Sequence, residues 1–164
     1  HKGKTLCELC CGVGVCTVEF SRYFAKVIGI DNDTAVLDCA RQNVLNASSG
    51  NCEFILGDIT DLRLLEGLHA DIAVYDIPYW SDHDNAMIEK NPKLDQVVKN
   101  IKKCITTDIV IYTPPTVQID AIAPIATSFE YQQVFIDGRY DRNYVYLGSL
   151  IEKQGATKID LATG

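Results

Sequence analysis

No stretch of this sequence is apolar for long enough to cross a bilayer. A spanning helix needs roughly 20 consecutive apolar residues, and the longest runs, around Val27 to Ile30 and Ile109 to Tyr112, are far shorter. The opening His1-Lys2-Gly3-Lys4 leads into a mixed segment containing Glu8, which suits neither a signal-peptide core nor an Arg-rich transit peptide. An intracellular protein, cytoplasmic or nuclear and without a membrane partner, is expected. A disulfide framework is missing too, because the cysteines at 7, 10, 11, 16, 39, 52 and 104 form an odd, scattered set. Cys7-x-x-Cys10 has no second CxxC or HxxxH to complete a zinc site, so these small side chains are expected to pack in a strand and no metal is expected. Positive charge is also scarce. A formal net charge of −7 argues against a broad, sequence-blind grip on phosphates, which relies on a basic field; a nucleic-acid substrate would have to be held locally.

What the chain does have is an alternation of short apolar runs and helix-period stretches over 164 residues, enough for one hydrophobic core. Residues 6–11, 26–31, 52–56, 70–76 and 108–113 read as five strands, with helices over 15–24, 33–47, about 84–104 and 117–128. In the second helix Val36, Leu37, Ala40, Val44 and Leu45 recur at spacings of three and four and predict one apolar stripe, with Asn32 or Asp33 as cap. The strands 70–76 and 108–113 are nearly continuous apolar runs, as central, doubly covered strands require. Two last strands, 131–136 and 143–151, are separated by a short turn containing Asp137-Gly138, which forces antiparallel pairing. The expected architecture is α/β and Rossmann-like: a mostly parallel seven-stranded sheet with helices on both faces and a C-terminal antiparallel hairpin. A plain dinucleotide-binding sheet would close with another parallel crossover instead. Residues 1–153 are read as the core domain and 154–164 as a frayed tail.

Four motifs fall at the carboxyl ends of strands. Glu8-Leu-Cys10-Cys-Gly12-Val-Gly14 sits where a strand passes into a helix, where glycines let the backbone approach a ligand closely. Pyrophosphate binding would call for a third glycine, but Thr17 stands there, and Glu8 would repel phosphates. A carboxylate at Glu8 suits the ammonium end of a methionine moiety instead. Asp31, followed by Asn32, lies where nucleoside-binding folds place an acid, since a carboxylate accepts both ribose hydroxyls; a helix cap is the plainer role for either residue. Gly57-Asp58-Ile59 is spaced to meet an adenine, the carboxylate accepting from the exocyclic amine and Ile59 packing on the ring, although a surface turn accounts for it almost as well.

The fourth motif, Asp76-Ile77-Pro78-Tyr79-Trp80, resembles the (D/N/S)PP(Y/F/W) signature of amino-group methyltransferases. An arylamine is a poor nucleophile because its lone pair is delocalised into the ring. A site that accepts its N–H hydrogens favours the pyramidal, reactive nitrogen. Asp76 and the Ile77 carbonyl would be the acceptors, Pro78 would stiffen the loop, and Tyr79 or Trp80 would offer a face on which a base stacks. The plainer role of Asp-x-Pro is a turn. His83 is a possible accessory base, and a loop position in solvent explains it better. Lys90, Lys93, Lys99, Lys102 and Lys103 are better explained as a solvated helix face than as a phosphate grip.

Together, Cys11-Gly-Val-Gly14, Thr17-Val-Glu-Phe20, Val27-Ile-Gly-Ile-Asp31, Ala40-Arg-Gln-Asn43, Phe54-Ile-Leu-Gly-Asp58 and Asp108-Ile-Val-Ile-Tyr-Thr-Pro114, with Gln118-Ile-Asp120 following, resemble the core of the trimethylguanosine synthase family, the RNA cap guanine-N2 methyltransferases. The resemblance implies S-adenosylmethionine as cofactor, contacted by Glu8, Gly12, Gly14, Asp31 and Asp58, with Cys10, Thr17, Asn32 and Ile59 in the same segments. It further implies a guanine of RNA held by the loop 76–80. The family usually reads Ser-Pro-Pro-Trp where this chain has Asp76-Ile-Pro-Tyr79, and Val15-Cys16 replace a Gly-Asn. Methyl transfer to another base amine, and a non-catalytic module that keeps the fold, are the competing expectations. A nicotinamide-dependent oxidoreductase fits poorly, for want of the third glycine and a substrate domain.

Overall fold

A computed structural model describes residues 1–77 and 94–163. In chain order its elements are β1 (Thr5–Leu9), α1 (Val15–Ser21), β2 (Lys26–Asp31), α2 (Thr34–Asn46), β3 (Cys52–Leu56), α3 (Leu62–Leu65), β4 (Ile72–Asp76), α4 (Leu94–Cys104), β5 (Ile109–Thr113), α5 (Ile119–Ile122), β6 (Glu130–Ile136), β7 (Arg139–Leu147), a 3-10 turn Gly148–Leu150 and β8 (Gly155–Leu161). The strands form one sheet in the order β3-β2-β1-β4-β5-β7-β6-β8. The first five pair in parallel, β7 pairs antiparallel with both β5 and β6, and β8 runs parallel to β6. The Rossmann-like sheet with its antiparallel ending is therefore present. The Asp137-Gly138 turn has positive φ at both residues, 49° and 75°, the geometry whose twist matches a two-residue hairpin.

Side chains alternate across the sheet. Cys7, Leu9, Ile28, Ile30, Ala73, Tyr75, Ile109, Ile111 and Val145 enter the main core. There α4 meets them with Leu94, Val97, Val98 and Ile101, spaced three and four apart to make one face. The opposite face carries Leu6, Val27, Ile72 and Val74 against Phe20 and Phe24. On that side α1 and α2 lie over β2 and β3. Over β1, β4, β5 and β7 the same face opens into a cavity of about 830 Å³. No helix among the described residues is long and apolar enough to cross a membrane.

Several expectations are corrected. The sheet has eight strands rather than seven, because 155–161 is a strand and not a frayed tail. Buried Glu130 supplies the reason: its carboxylate accepts the Glu152 and Lys153 N–H groups at 3.0 Å each and the Thr157 hydroxyl at 2.9 Å, clamping the connection into β8. Lys158 lies over the Phe135 ring at 3.8 Å and adds to the pairing. The helix expected over 117–128 is the single turn Ile119–Ile122, since Pro124 has no N–H to carry the helical hydrogen-bond ladder past Ala123. The strand expected over 143–151 is shifted to Arg139–Leu147 and stops where Gly148 takes φ 73°. In α2 the buried stripe is Leu37, Ala40 and Val44, and Leu45 points to solvent. Of the helix expected over 84–104, the part from 84 to 93 lies outside the described residues.

Candidate active site

The carboxyl ends of β1, β2, β3 and β4 meet along one rim, and the turn after β1 is built for close approach. Cys10, Gly12 and Gly14 all take positive φ, at 63°, 55° and 76°. At Gly14, the N-cap of α1, a Cβ would come within 3.0 Å of the Ala40 Cβ, so a side chain there would wedge α1 from α2. Two hydrogen bonds fix the turn, one within it and one from α2: the Gly14 N–H donates to the Cys11 carbonyl at 3.0 Å, and the Asn43 amide donates to the Val13 carbonyl at 2.9 Å.

Asp31 ends β2 facing this turn. One carboxylate oxygen accepts the Gly12 N–H at 3.0 Å and the other accepts the Asp33 N–H at 3.2 Å. Each oxygen has a second lone pair to offer a hydroxyl. The helix cap is neither Asp31 nor Asn32: Asp33 takes that role by accepting from Ala35 and Val36. Asn32 is exposed beside it. At the next strand end Asp58 is exposed and accepts the Thr60 N–H at 2.8 Å, the surface turn anticipated for it, while Ile59 is buried against the main core.

The first carboxylate of the motif lies deeper. Glu8 is 2% exposed and accepts the hydroxyl of fully buried Thr17 at 2.5 Å. Burial pushes its carboxyl up to about 7; the Thr17 hydrogen bond opposes the rise and the charge of Asp76 adds to it. Asp76, at the end of β4, is raised to about 6 by burial, against the opposing charge of Arg142. The register places Asp76 beside Tyr112 and Tyr112 beside Tyr144, a row across three strands. Glu8, Cys16, Asp76, Tyr112, Arg142 and Tyr144 line the polar end of the 830 Å³ cavity, above an apolar floor of Leu6, Ile72, Val74 and Val110. Ile77 is buried and donates its N–H to the Tyr112 carbonyl at 3.4 Å. Pro78, Tyr79, Trp80 and His83 lie outside the described residues, as do Lys90 and Lys93. On α4, Lys99 pairs with Asp95 at 3.0 Å and Lys103 with Glu66 at 3.9 Å, as expected of a solvated helix face.

Tyr112, Arg142 and Tyr144 did not stand out as site residues in the sequence. The signal was the alternation Arg142, Tyr144, Tyr146 against Asn143, Val145, Leu147, which puts the first three on one face of β7. Asn143, on the other face and fully buried, donates to the Thr113 hydroxyl at 3.1 Å and to the Pro114 carbonyl at 2.9 Å, pinning the loop after β5.

The two raised carboxyls make the stability of the ligand-free protein depend on pH with a definite sign. Between about pH 4.5 and 7 the folded protein holds protons that the unfolded chain has released, so stability falls as pH rises through that window. Urea unfolding at pH 5.5 and 7.5 is expected to show the folded state more stable at the lower pH, with Glu8 contributing on the order of 1 kcal/mol. Glu8→Gln should flatten the slope, and an unchanged slope in that variant would contradict the assignment.

The geometry fits a sulfonium nucleoside: a close-approach turn, an oriented carboxylate for a ribose, and a further carboxylate at the next strand end. Comparison with known proteins agrees. A family model described as "Methyltransferase domain" matches residues 1–146. The chain is 33% identical over 58 residues to a 23S rRNA (uracil(1939)-C(5))-methyltransferase of Xylella fastidiosa, covering 35% of this chain and 13% of that protein. It is also 33% identical over 86 residues to an uncharacterized RNA methyltransferase of Clostridium tetani, covering 52% and 19%. The chain thus spans less than a fifth of the length of either relative. The fold is similar to the crystal structure of magnesium protoporphyrin IX methyltransferase from Synechocystis PCC 6803 with bound SAM, at TM-score 0.67 and 15% identity over 90% of this chain and 71% of that one. With the model match extending from β1 into β7, the chain belongs to the methyltransferase domain family, whose cofactor is S-adenosylmethionine.

Proposed function

We propose that this domain methylates an exocyclic amino group of an RNA base, in the first instance N2 of a guanine. The observation that carries the reading is the half-buried Asp76 carboxylate at the end of β4, beside the cofactor rim and in line with Tyr112 and Tyr144.

S-adenosylmethionine, when bound, supplies an electrophilic methyl group on a sulfonium that leaves as a neutral thioether. Asp31 would hold the ribose hydroxyls, Glu8 and the turn from Cys10 to Gly14 the methionine end, and Asp58 with Ile59 the adenine; Thr17 acts on Glu8, and Asn32 borders the ribose side. Asp76 accepts an N–H of the target amine, which draws the lone pair out of conjugation and takes up the developing positive charge. The Ile77 carbonyl is the second acceptor. Pro78, Tyr79 and Trp80 are assigned from sequence to stiffen this loop and stack the base. Orientation then supplies most of the remaining advantage.

RNA as substrate is supported by the two RNA methyltransferase relatives, and guanine N2 by the resemblance of the motifs to the trimethylguanosine synthases. Methylation at uracil C5, the reaction in the Xylella protein's name, needs a nucleophile to add to the pyrimidine ring first. The rim cysteines are poorly suited to it: burial pushes the Cys10 thiol up to about 12, with Asp31, Asp76, Asp58 and Glu8 adding to the rise, and burial also raises Cys16. A carboxylate beside raised thiols favours the amine.

The test is transfer of radiolabel from S-adenosylmethionine to capped RNA, uncapped RNA and DNA, followed by nucleoside analysis. Label is expected in RNA as N2-methylguanine. Label in 5-methyluracil would overturn the amine assignment, and cofactor binding without transfer to any of the three would leave a non-catalytic module.

A further inference from the structure

The cavity on the α1 face has acid at its polar end from two strands. Glu8 comes from β1 and Asp76 from β4, with Cys16 and Glu19 facing them from α1, Tyr112 from β5, and Tyr144 with Arg142 from β7. Among these described groups Arg142 carries the positive charge. His1, the other basic residue of the lining, is stacked on Phe24 with ring centroids 5.2 Å apart. Strands lie roughly 4.8 Å apart, so β7 stands about two spacings from Asp76, and an arginine on it must reach back across β5 to be felt there. Arg142 does so, with its guanidinium over the Tyr112 ring, 5.0 Å from the centroid, and Tyr112 is the residue paired with Asp76.

The backbone is adapted to this reach. The β6–β7 ladder shifts register between Val134 and Phe135: Val134 faces Arg142 while Phe135 faces Tyr140, leaving Asp141 as an extra residue on β7. A bulge of this kind re-aims the side chains around it and is common beside active sites. Here it brings Asp141 and Arg142 together as an ion pair and turns Tyr140 away to the Asn143 side.

We infer that Arg142 is a positioning residue for the acceptor site: laid over Tyr112 and braced by Asp141, its guanidinium holds the Asp76 carboxylate in the acceptor-only form that an amine substrate requires. This rests on the assignment of Asp76 under Proposed function. Its physical logic is independent of which base is bound. A buried carboxylate next to a second carboxylate takes up a proton unless a cation opposes it, and a protonated Asp76 would present an O–H where the target presents N–H. The raised carboxyl of Asp76, with Arg142 as the opposing charge, agrees with the geometry.

The experiment follows Asp76 directly. The side-chain carboxyl carbon, assigned by its loss in Asp76→Asn, is titrated by carbon-13 NMR in the wild type and three variants with S-adenosylhomocysteine present. In Arg142→Gln the Asp76 titration is expected to move up by about one pH unit, in Arg142→Lys by much less, and in Asp141→Asn, where the guanidinium loses its brace, up by an intermediate amount. The acid limb of the turnover profile should move with it, so that Arg142→Gln loses about fivefold in kcat near pH 6 and regains most of it near pH 8. A merely structural role would lower turnover alike at every pH. An Asp76 titration unmoved in Arg142→Gln overturns the inference; if that variant does not fold, an unmoved titration in Asp141→Asn does so. Shifted titrations with no methyl transfer by any form would leave Arg142 in this role and overturn the substrate reading instead.

Discussion

Asp76→Ala is expected to lower kcat for methyl transfer on the order of a hundredfold or more, while S-adenosylmethionine binds within about threefold of its wild-type affinity. The reason lies in where Asp76 sits. It ends β4 in a row with Tyr112 and Tyr144, two strands away from Asp31 at the end of β2. Its carboxylate is therefore expected to act on the acceptor and not on the sugar. Asp76→Asn should lose nearly as much, because the amide replaces one acceptor oxygen with an N–H donor pointing at a nitrogen that also carries hydrogens. Steady-state kinetics and cofactor binding measured on the same preparations check both statements. Equal loss of turnover and cofactor affinity would show that Asp76 belongs to the cofactor site.

The reverse pattern is expected at Asp31. Asp31→Ala removes the proposed acceptor of two ribose hydroxyls, and hydrogen bonds to a charged group are worth about 1.5–3 kcal/mol each. It also releases the Gly12 N–H, held at 3.0 Å in the wild type, and leaves the Cys11 N–H to Ile30 carbonyl bond to tie the turn to β2. Cofactor affinity should fall on the order of a hundredfold or more, with overall stability nearly unchanged because the carboxylate is at the half-exposed rim. Equilibrium dialysis with labelled S-adenosylmethionine and urea unfolding separate the two effects. Wild-type affinity in this variant would remove Asp31 from the cofactor site.

The parallel half of the sheet was legible because its strands are short apolar runs ending in Gly and Asp, a pattern that survives in one dimension. So was the placing of Asp31, Asp58 and Asp76 on one rim, since each stands at or just past the end of such a run. Three things were hidden for definable reasons. β8 alternates Lys158 and Asp160 with apolar residues and so reads as polar; it is held by Glu130, a residue 25 positions before Gly155. The short α5 misled because Ile119, Ile122 and Ala126 recur at spacings of three and four, while Pro124 overrode the pattern. Arg142 was invisible as a site residue because its significance comes from a register: only the pairing of β7 with β5, and of β5 with β4, brings it to Asp76. Sequence locates residues on strands, and contacts between strands distant in sequence require the sheet order.

The most direct test of the account is a calorimetric titration of the folded wild-type protein with S-adenosylhomocysteine, the demethylated product. The account predicts saturable binding at one site per chain, displaced by S-adenosylmethionine. Absence of any binding by either compound to the folded protein would contradict it.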